Sequence, residues 1–430
     1  MELQLEIYDR HLTDYLHKLI DKQSPAVRLQ LKTLRDCGKR VIKPTHGEGG
    51  VFLLKRNNQS KFFGHTSCKN SWACPICTAR KMTKYADELG AVIEEMKKHG
   101  YFGIMVTFTI PHLRYMTCKE TTDILHMTYN RFRLDSRSQS AKKQKHIRDG
   151  AVITRFFEDC QIEHQVVVAE YTYGKNGWHP HFHCIYWCKR SSADKVLSWL
   201  PAINAKWLAY AKKYTLQYWK ENKLHCQLEG VMETTLDNLY SKCEQNAGVM
   251  FGQKDGKLRE AQSSDYVMGW GANHELAGLQ YKEAKDGHLT PHHILEKASL
   301  GDKKMAALYI EFAMNVTRKP VHARVKWSKT ALIREVRTIC KQQAAARALL
   351  KKNIDKGEWK CILWFSREQW NSIWKLNKEM PLISNILFLA TQEVEILLEF
   401  LNALGIAYSP PESHYFAEHI ENIFNDVAVA

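Results

Sequence analysis

Three histidines fall within five residues in the stretch 166–187, VVVAEYTYGKNGWHPHFHCIYW: His179, His181 and His183. Strand-forming runs on both sides of Gly174-Lys175-Asn176-Gly177 predict a β-hairpin. Alternate residues of a strand share a face, so the three imidazoles point the same way, with Pro180 bending the start of the strand. With the loop at 174–177 and Tyr173 opposite Trp178, Thr172 faces His179, Glu170 faces His181 and Val168 faces His183. Directly opposed residues share a face, which brings Glu170 beside the histidines. A register slip of one residue would send it to the far side. Imidazoles and a carboxylate on a flat platform can hold a divalent ion and leave positions open for a phosphate oxygen. The expected ligands are therefore His181, His183, Glu170 and His179, and the expected ion is Mg2+ or Mn2+.

A second constellation lies upstream. Cys74-Pro75-Ile76-Cys77 is a C-x-x-C knuckle, preceded by Cys68 and Cys37. Four thiolates close a tetrahedral zinc site, and the tight turn of the knuckle lets two sulfurs reach one ion. His65 is an alternative to one of the cysteines. A thioredoxin-like redox pair is the competing reading, but no βαβ pattern surrounds this one.

These residues need elements to hold them. The spacing of Met82, Tyr85, Leu89, Val92, Ile93 and Met96 predicts an amphipathic helix over 78–100, ended by Gly100. Arg80, Lys81 and Lys84 sit in its opening turns. Ile104 to Ile110 reads as a strand stopped by Pro111, and strands are expected at 165–173 and 179–187. Helices are expected over the first 35 residues, over 191–218, from Ser263 to about Leu279, and after Gln342 with a Trp-rich insert at 359–374. The stretch 248–256, with Gly248, Gly252 and Gly256, reads as a loop.

The whole chain has 430 residues, 44% of them hydrophobic, with 62 Lys and Arg against 46 Asp and Glu for a formal charge of +16. This suits a folded protein of two or three domains and argues against a disordered chain, a collagen-like repeat or a small disulfide scaffold. The most apolar late stretch, 385–406, is broken by Gln392, Glu393, Glu395 and Glu399, so no membrane span is expected. The start MELQLEIYDRHL lacks the apolar core of a signal peptide. The expectation is a cytoplasmic protein whose cysteines stay reduced. The positive charge points to a polyanionic partner. Two basic blocks stand out: Arg131, Arg133, Lys142, Lys143, Lys145 and Arg148, and then Arg318, Lys319, Arg324, Lys326 and Lys329 around Trp327. Cations mixed with aromatic rings suit single-stranded DNA.

His181-Phe182-His183 resembles the His-hydrophobe-His signature of the HUH single-strand endonucleases. The longer block from Glu170 through Thr172, Gly174, Asn176, Gly177, Trp178 and His179-Pro180 to His183 is similar to the version found in plasmid and phage rolling-circle replication initiators. Val106-Thr107-Phe108-Thr109-Ile110-Pro111 resembles the strand motif that precedes it in that family, and the cysteine cluster resembles its zinc-binding part. Tyr266-Val267-Met268-Gly269-Trp270-Gly271 is the best match to the helix bearing the nucleophilic tyrosine, with Tyr281 in reserve. The likeness covers about residues 35 to 335, through Val325-Lys326-Trp327-Ser328.

This resemblance implies an enzyme that nicks single-stranded or locally melted origin DNA. Tyr266 would attack a metal-polarised phosphate, leaving a 5′-phosphotyrosine and a free 3′-OH, and DNA would later be rejoined. A host helicase and polymerase would be partners, since no P-loop is present. The chain departs from the family at Gly269, where a lysine is common; Lys282 or Lys285 would have to substitute. It departs again at Gln262, where some members carry a glutamate; Asp265 or Glu275 are substitutes. No second tyrosine lies at 269 or 270. A single-strand transposase of the same superfamily, a zinc-containing DNA-binding protein without catalysis and a hydrolytic metallonuclease are the alternatives. The expected fold is α/β (α+β): a central antiparallel sheet carrying the metal hairpin, with flanking helices. A helical and zinc-binding module is expected over 1–100, the endonuclease domain over 101–300 and a helical C-terminal region over 301–430.

Overall fold

The computed structural model describes residues 34, 37–42, 49–70, 72–114, 116–135, 151–222, 248–254, 257–263, 272, 276, 287–317, 325–354, 360–377 and 382–410. The architecture is mixed helix and sheet, and both larger sheets are antiparallel. The central sheet has the strand order β6-β3-β5-β4-β9. Its members are β3 (Tyr101–Thr109), β4 (Ile162–Gly174), β5 (Gly177–Lys189), β6 (Val249–Phe251) and β9 (Val325–Trp327).

The β4–β5 hairpin has the expected register: Tyr173 pairs with Trp178, Thr172 with His179, Glu170 with His181 and Val168 with His183. Gly174 also pairs with Gly177, so the connection is Lys175-Asn176 alone. The tighter turn leaves the register unchanged, because shortening a loop by one facing pair moves no residue to the other face.

Period-two alternation divides the hairpin between two cores. On one face Phe108, Phe182, Cys184 and Tyr186 pack with α2 (Cys118–Asp135), α3 (Ala151–Asp159) and α4 (Leu200–Asn222). Fully buried members include Phe132, Phe156 and Trp207. On the other face Val166, Val168, Ile185 and Trp187 are covered by α1 (Pro75–Lys98) and α7 (Ala331–Ile354). Leu89, Val92, Ile93 and Met96 form the stripe of α1 that does this, and burying each large side chain is worth about 1.5–3 kcal/mol. This second face carries Glu170, His181 and His183 just beyond its apolar part. Helix α1 begins three residues earlier than the periodicity predicts, because Pro75 at its first turn is compatible with helix and the Cys74 sulfur accepts the Cys77 N–H.

Three expectations need correction. The glycine-rich stretch at 248–256 is not simply a loop: β6 pairs with β3, and β7 (Gln253–Lys254) pairs with β8 (Lys257–Leu258). The 191–218 stretch opens with two short 3-10 turns before α4. Within the Trp-rich insert, β10 (Lys360–Ser366) joins β1 (Gly50–Arg56) and β2 (Gln59–Phe63) in a second sheet of order β10-β1-β2. Helices α8 (Arg367–Leu376), α9 (Leu382–Thr391) and α10 (Val394–Ala403) pack on that sheet through Trp370, Ile373, Ile386, Leu397 and Leu401. Helices α5 (Pro291–Ser299) and α6 (Lys303–Thr317) complete the first core. The expected N-terminal helix lies outside the described residues except for Leu34, and the 263–279 helix lies outside them except for residues 263, 272 and 276. Among the described residues no helix is long and apolar enough to cross a membrane.

Candidate metal centres

Glu170, His181 and His183 converge on one point. The Glu170 Oε2 oxygen lies 2.8 Å from His183 Nε2 and also contacts His181 Nε2, while the two Nε2 atoms lie 3.1 Å apart. Ligands about 2.1 Å from a hard divalent ion, at right angles to one another, are separated by about 3.0 Å. The three atoms therefore fit one face of such an ion's coordination shell. All three residues are buried. Burial opposes charge on Glu170, but the adjacent His181 and His183 outweigh it and hold the carboxyl well below the usual carboxylate range.

Each ring is fixed from behind. His181 Nδ1–H donates to the backbone carbonyl of His179 at 3.2 Å, and His183 Nδ1 is bonded to the Thr107 hydroxyl at 3.0 Å. With Nδ1 engaged, Nε2 is the nitrogen turned toward the centre, which is the arrangement that orients metal-binding imidazoles. Thr107 reaches His183 because β3 and β5 pair in register, Thr107 with His183 and Thr109 with His181.

His179 sits differently from the expectation. It lies on the same face but its Nδ1 meets His112 Nε2 at 2.8 Å, and it is not part of the converging group. Burial, then the neighbouring His181, His112 and His288, push the His179 ring down to about 2; burial takes His112 down to about 4. Thr107, His112 and His288 were not singled out by the sequence. The signal for Thr107 was the alternation Val106-Thr107-Phe108-Thr109, which puts both hydroxyls on the histidine face.

The second centre is a ring of four sulfurs from Cys37, Cys68, Cys74 and Cys77. Sγ of Cys77 lies 3.6 Å from those of Cys37 and Cys68. Tetrahedral zinc with Zn–S near 2.3 Å spaces its sulfurs by about 3.8 Å. Backbone N–H groups of Cys68, Asn70 and Cys77 point at Cys37, Cys68 and Cys74 sulfurs at 3.4–3.5 Å, as suits thiolate ligands. Crowding separates the thiols: the sulfur contacts from Cys37, Cys68 and Cys74 pull Cys77 down, while Cys37, Cys68, Cys77 and burial push Cys74 up. Without a cation such a ring cannot hold four thiolates; a bound cation would resolve the conflict. His65 is not the fourth member. It forms a bridge to Val41 and stacks on Trp370 with ring planes 4° apart. The knuckle is fastened to the main core by the edge-on contact of Trp72 with Tyr171 and by the Tyr309 hydroxyl bonded to the Ala73 carbonyl.

Of the basic candidates, Arg131 on α2 pairs with Asp135 at 3.0 Å, and Arg133 is exposed in the last turn of the helix. Lys326 on β9 pairs opposite Val167, with its ammonium held below the usual lysine range by burial and by Arg133. These three lie on the α2 side of the sheet, the face opposite Glu170 and His183. Lys142, Lys143, Lys145, Arg318, Lys319 and Arg324 lie outside the described residues, as do Tyr266, Tyr281, Gly269, Lys282, Lys285, Asp265 and Glu275. Ala272 and Leu276, a few residues past Tyr266, pack in the core on the metal face.

Over 140 residues the chain is 30% identical to a protein named Protein rep from Streptomyces lividans. The match covers 29% of this chain and 30% of that protein, so the chain spans less than a third of the curated relative it resembles. No family model and no solved structure matches the chain.

Proposed function

We propose that the protein initiates rolling-circle replication by nicking single-stranded origin DNA through a tyrosine nucleophile. The observation that carries this reading is the convergence of Glu170 with His181 and His183 on a sheet platform, each imidazole oriented from behind. Similarity to a protein named Protein rep supports replication as the setting.

Glu170, His181 and His183 would hold Mg2+ or Mn2+, and Cys37, Cys68, Cys74 and Cys77 would hold structural Zn2+. The divalent ion, when bound, polarises the scissile phosphate. Thr107 and the His179 carbonyl keep both imidazoles presenting Nε2. Tyr266 is the proposed nucleophile: its oxygen forms a bond to phosphorus as the P–O3′ bond breaks, giving a 5′-phosphotyrosine and a free 3′-OH. A phenol with an ordinary pKa near 10 is a weak nucleophile, so positive charge close to the phosphate has to lower the barrier. Arg131, Arg133, Lys142, Lys143, Lys145, Arg318, Lys319, Arg324 and Lys326 are proposed contacts to the DNA backbone. Arg131, Arg133 and Lys326 would serve DNA on the face away from the nick. A separate helicase and polymerase would extend from the 3′-OH.

The test is adduct formation. Labelled single-stranded DNA from the gene's own flanking sequence is incubated with Mn2+ and wild type, Tyr266→Phe or His181→Ala. A denaturant-resistant adduct lost in both variants is the expected result. An adduct that survives Tyr266→Phe moves the nucleophile, with Tyr281 next to be examined. Cleavage without an adduct means hydrolysis, and no reaction on the flanking strands leaves the chain a DNA-binding protein.

A further inference from the structure

The metal group does not stand alone at the hairpin tip. Moving outward from His181, the His179 ring follows at 5.2 Å between centroids, with His112 at 5.0 Å and His288 at 6.3 Å from it. The rings come from three places in the chain: β5, the segment just after β3, and the segment just before α5.

Two glycines let those segments close onto the hairpin. A Cβ on Gly177 would lie 2.6 Å from the Arg114 carbonyl oxygen, and one on Gly174 would lie 2.7 Å from His288 Nδ1. Mutual backbone bonds between Tyr173 and Leu289, at 2.7–2.8 Å, fasten the second segment. The two glycines of the Gly174-x-x-Gly177 turn are thus needed for close approach as well as for turning.

The ledge these rings form is aromatic and polar, with none of its three side chains a lysine, an arginine or a carboxylate. Imidazole has a flat face on which a base can stack, and ring nitrogens outside the His112–His179 bond can meet a base edge. A wall meant for phosphate would use cations. Resting on the nuclease reading above, we infer that His112, His179 and His288 seat the base of the nucleotide adjoining the metal-bound phosphate. His112 and His288 thereby set base preference at that position.

The test uses full-length, zinc-loaded protein and a panel of single-stranded oligonucleotides carrying each of the four bases on either side of the cleaved phosphate. Adduct formation is followed in single turnover with Mn2+, and Mn2+ affinity is measured separately. His112→Ala and His288→Ala are expected to weaken oligonucleotide binding about 10-fold and to flatten the base ranking at one flanking position, with Mn2+ affinity unchanged. His112→Phe should restore much of the affinity through stacking but leave the ranking flat. If both alanine variants keep the wild-type ranking, or lose Mn2+ binding in step with activity, the ledge does not read a base. If wild type forms no adduct with any member of the panel, the nuclease reading falls first and takes this one with it.

Discussion

Replacing Thr107 by valine tests whether the sheet register builds a metal centre. The Thr107 hydroxyl is 3.0 Å from His183 Nδ1, and His183 is 8% exposed. Valine keeps the shape and removes the bond, so little packing is lost. The ring then either leaves a buried Nδ1–H unpaired, at about 1–3 kcal/mol, or turns to find another partner and presents the wrong nitrogen. A cost of about 1.4 kcal/mol is tenfold in affinity, and loss of such supporting bonds commonly weakens metal binding about 10–100-fold. Mn2+ titration by calorimetry or electron paramagnetic resonance should therefore show Thr107→Val about 10-fold weaker or more, and Thr107→Ser close to wild type. Equal Mn2+ affinity in Thr107→Val and wild type would refute the reasoning. Weakening in Thr107→Ser as large as in Thr107→Val would show that the lost hydroxyl is not the cause.

Other outcomes follow from the same geometry. Gly177→Ala should destabilise by about 2–3 kcal/mol, because φ is +88° and the new methyl group meets a backbone oxygen. Gly100→Ala shares a positive φ of +77° but meets nothing within 4 Å, so it should cost only about 1 kcal/mol; thermal melts of the two variants compare them. Cys74→Ala should abolish the tightly bound zinc measured by a colorimetric chelator and lower the melting temperature, since a structural zinc site couples binding to folding. Because the Glu170 carboxyl is held below its ordinary value, it contributes stability above about pH 4.3 that is lost as the pH falls. Metal-free Glu170→Gln should then lose less stability than metal-free wild type as the pH is lowered below about 4.3, as read from melting temperature against pH.

The hairpin was the most legible part of the chain. One turn and one alternation fixed four cross-strand pairs, because a two-residue period leaves no intermediate register. The cysteine ring was legible too, up to the choice between His65 and a fourth cysteine. That choice rests on where the four sulfurs meet and on the His65 ring stacking on Trp370, contacts with no local signature in the sequence. The short strands β6, β7 and β8 were missed for a related reason: the stretch is rich in glycine, and the pairing of Phe251 with Val106 comes from tertiary contact rather than propensity. His112 followed a strand stop and looked like the start of a loop. Its role became visible only when the loop folded back on Gly177. The basic blocks were legible as charge but not as place, since the side of a sheet that a helix covers is set by chain connection.

The strand order β10-β1-β2 carries a consequence for synthesis. Leu53 pairs with Leu363, and Phe52 pairs with Phe63 on its other side. As the chain leaves the ribosome, the β1–β2 hairpin emerges early and keeps an open strand edge while the whole sheet carrying Glu170, His181 and His183 is made. Such an edge invites pairing with a neighbouring nascent chain. The hairpin that contains Glu170 and His181 closes over a two-residue turn and needs no such wait. Assembly should therefore run from the middle of the chain outward, with the contact of greatest sequence separation made last. Slowing elongation late in the message, or exposing the unfinished chain to high local concentration on polysomes, should bear on yield more than on the metal platform itself.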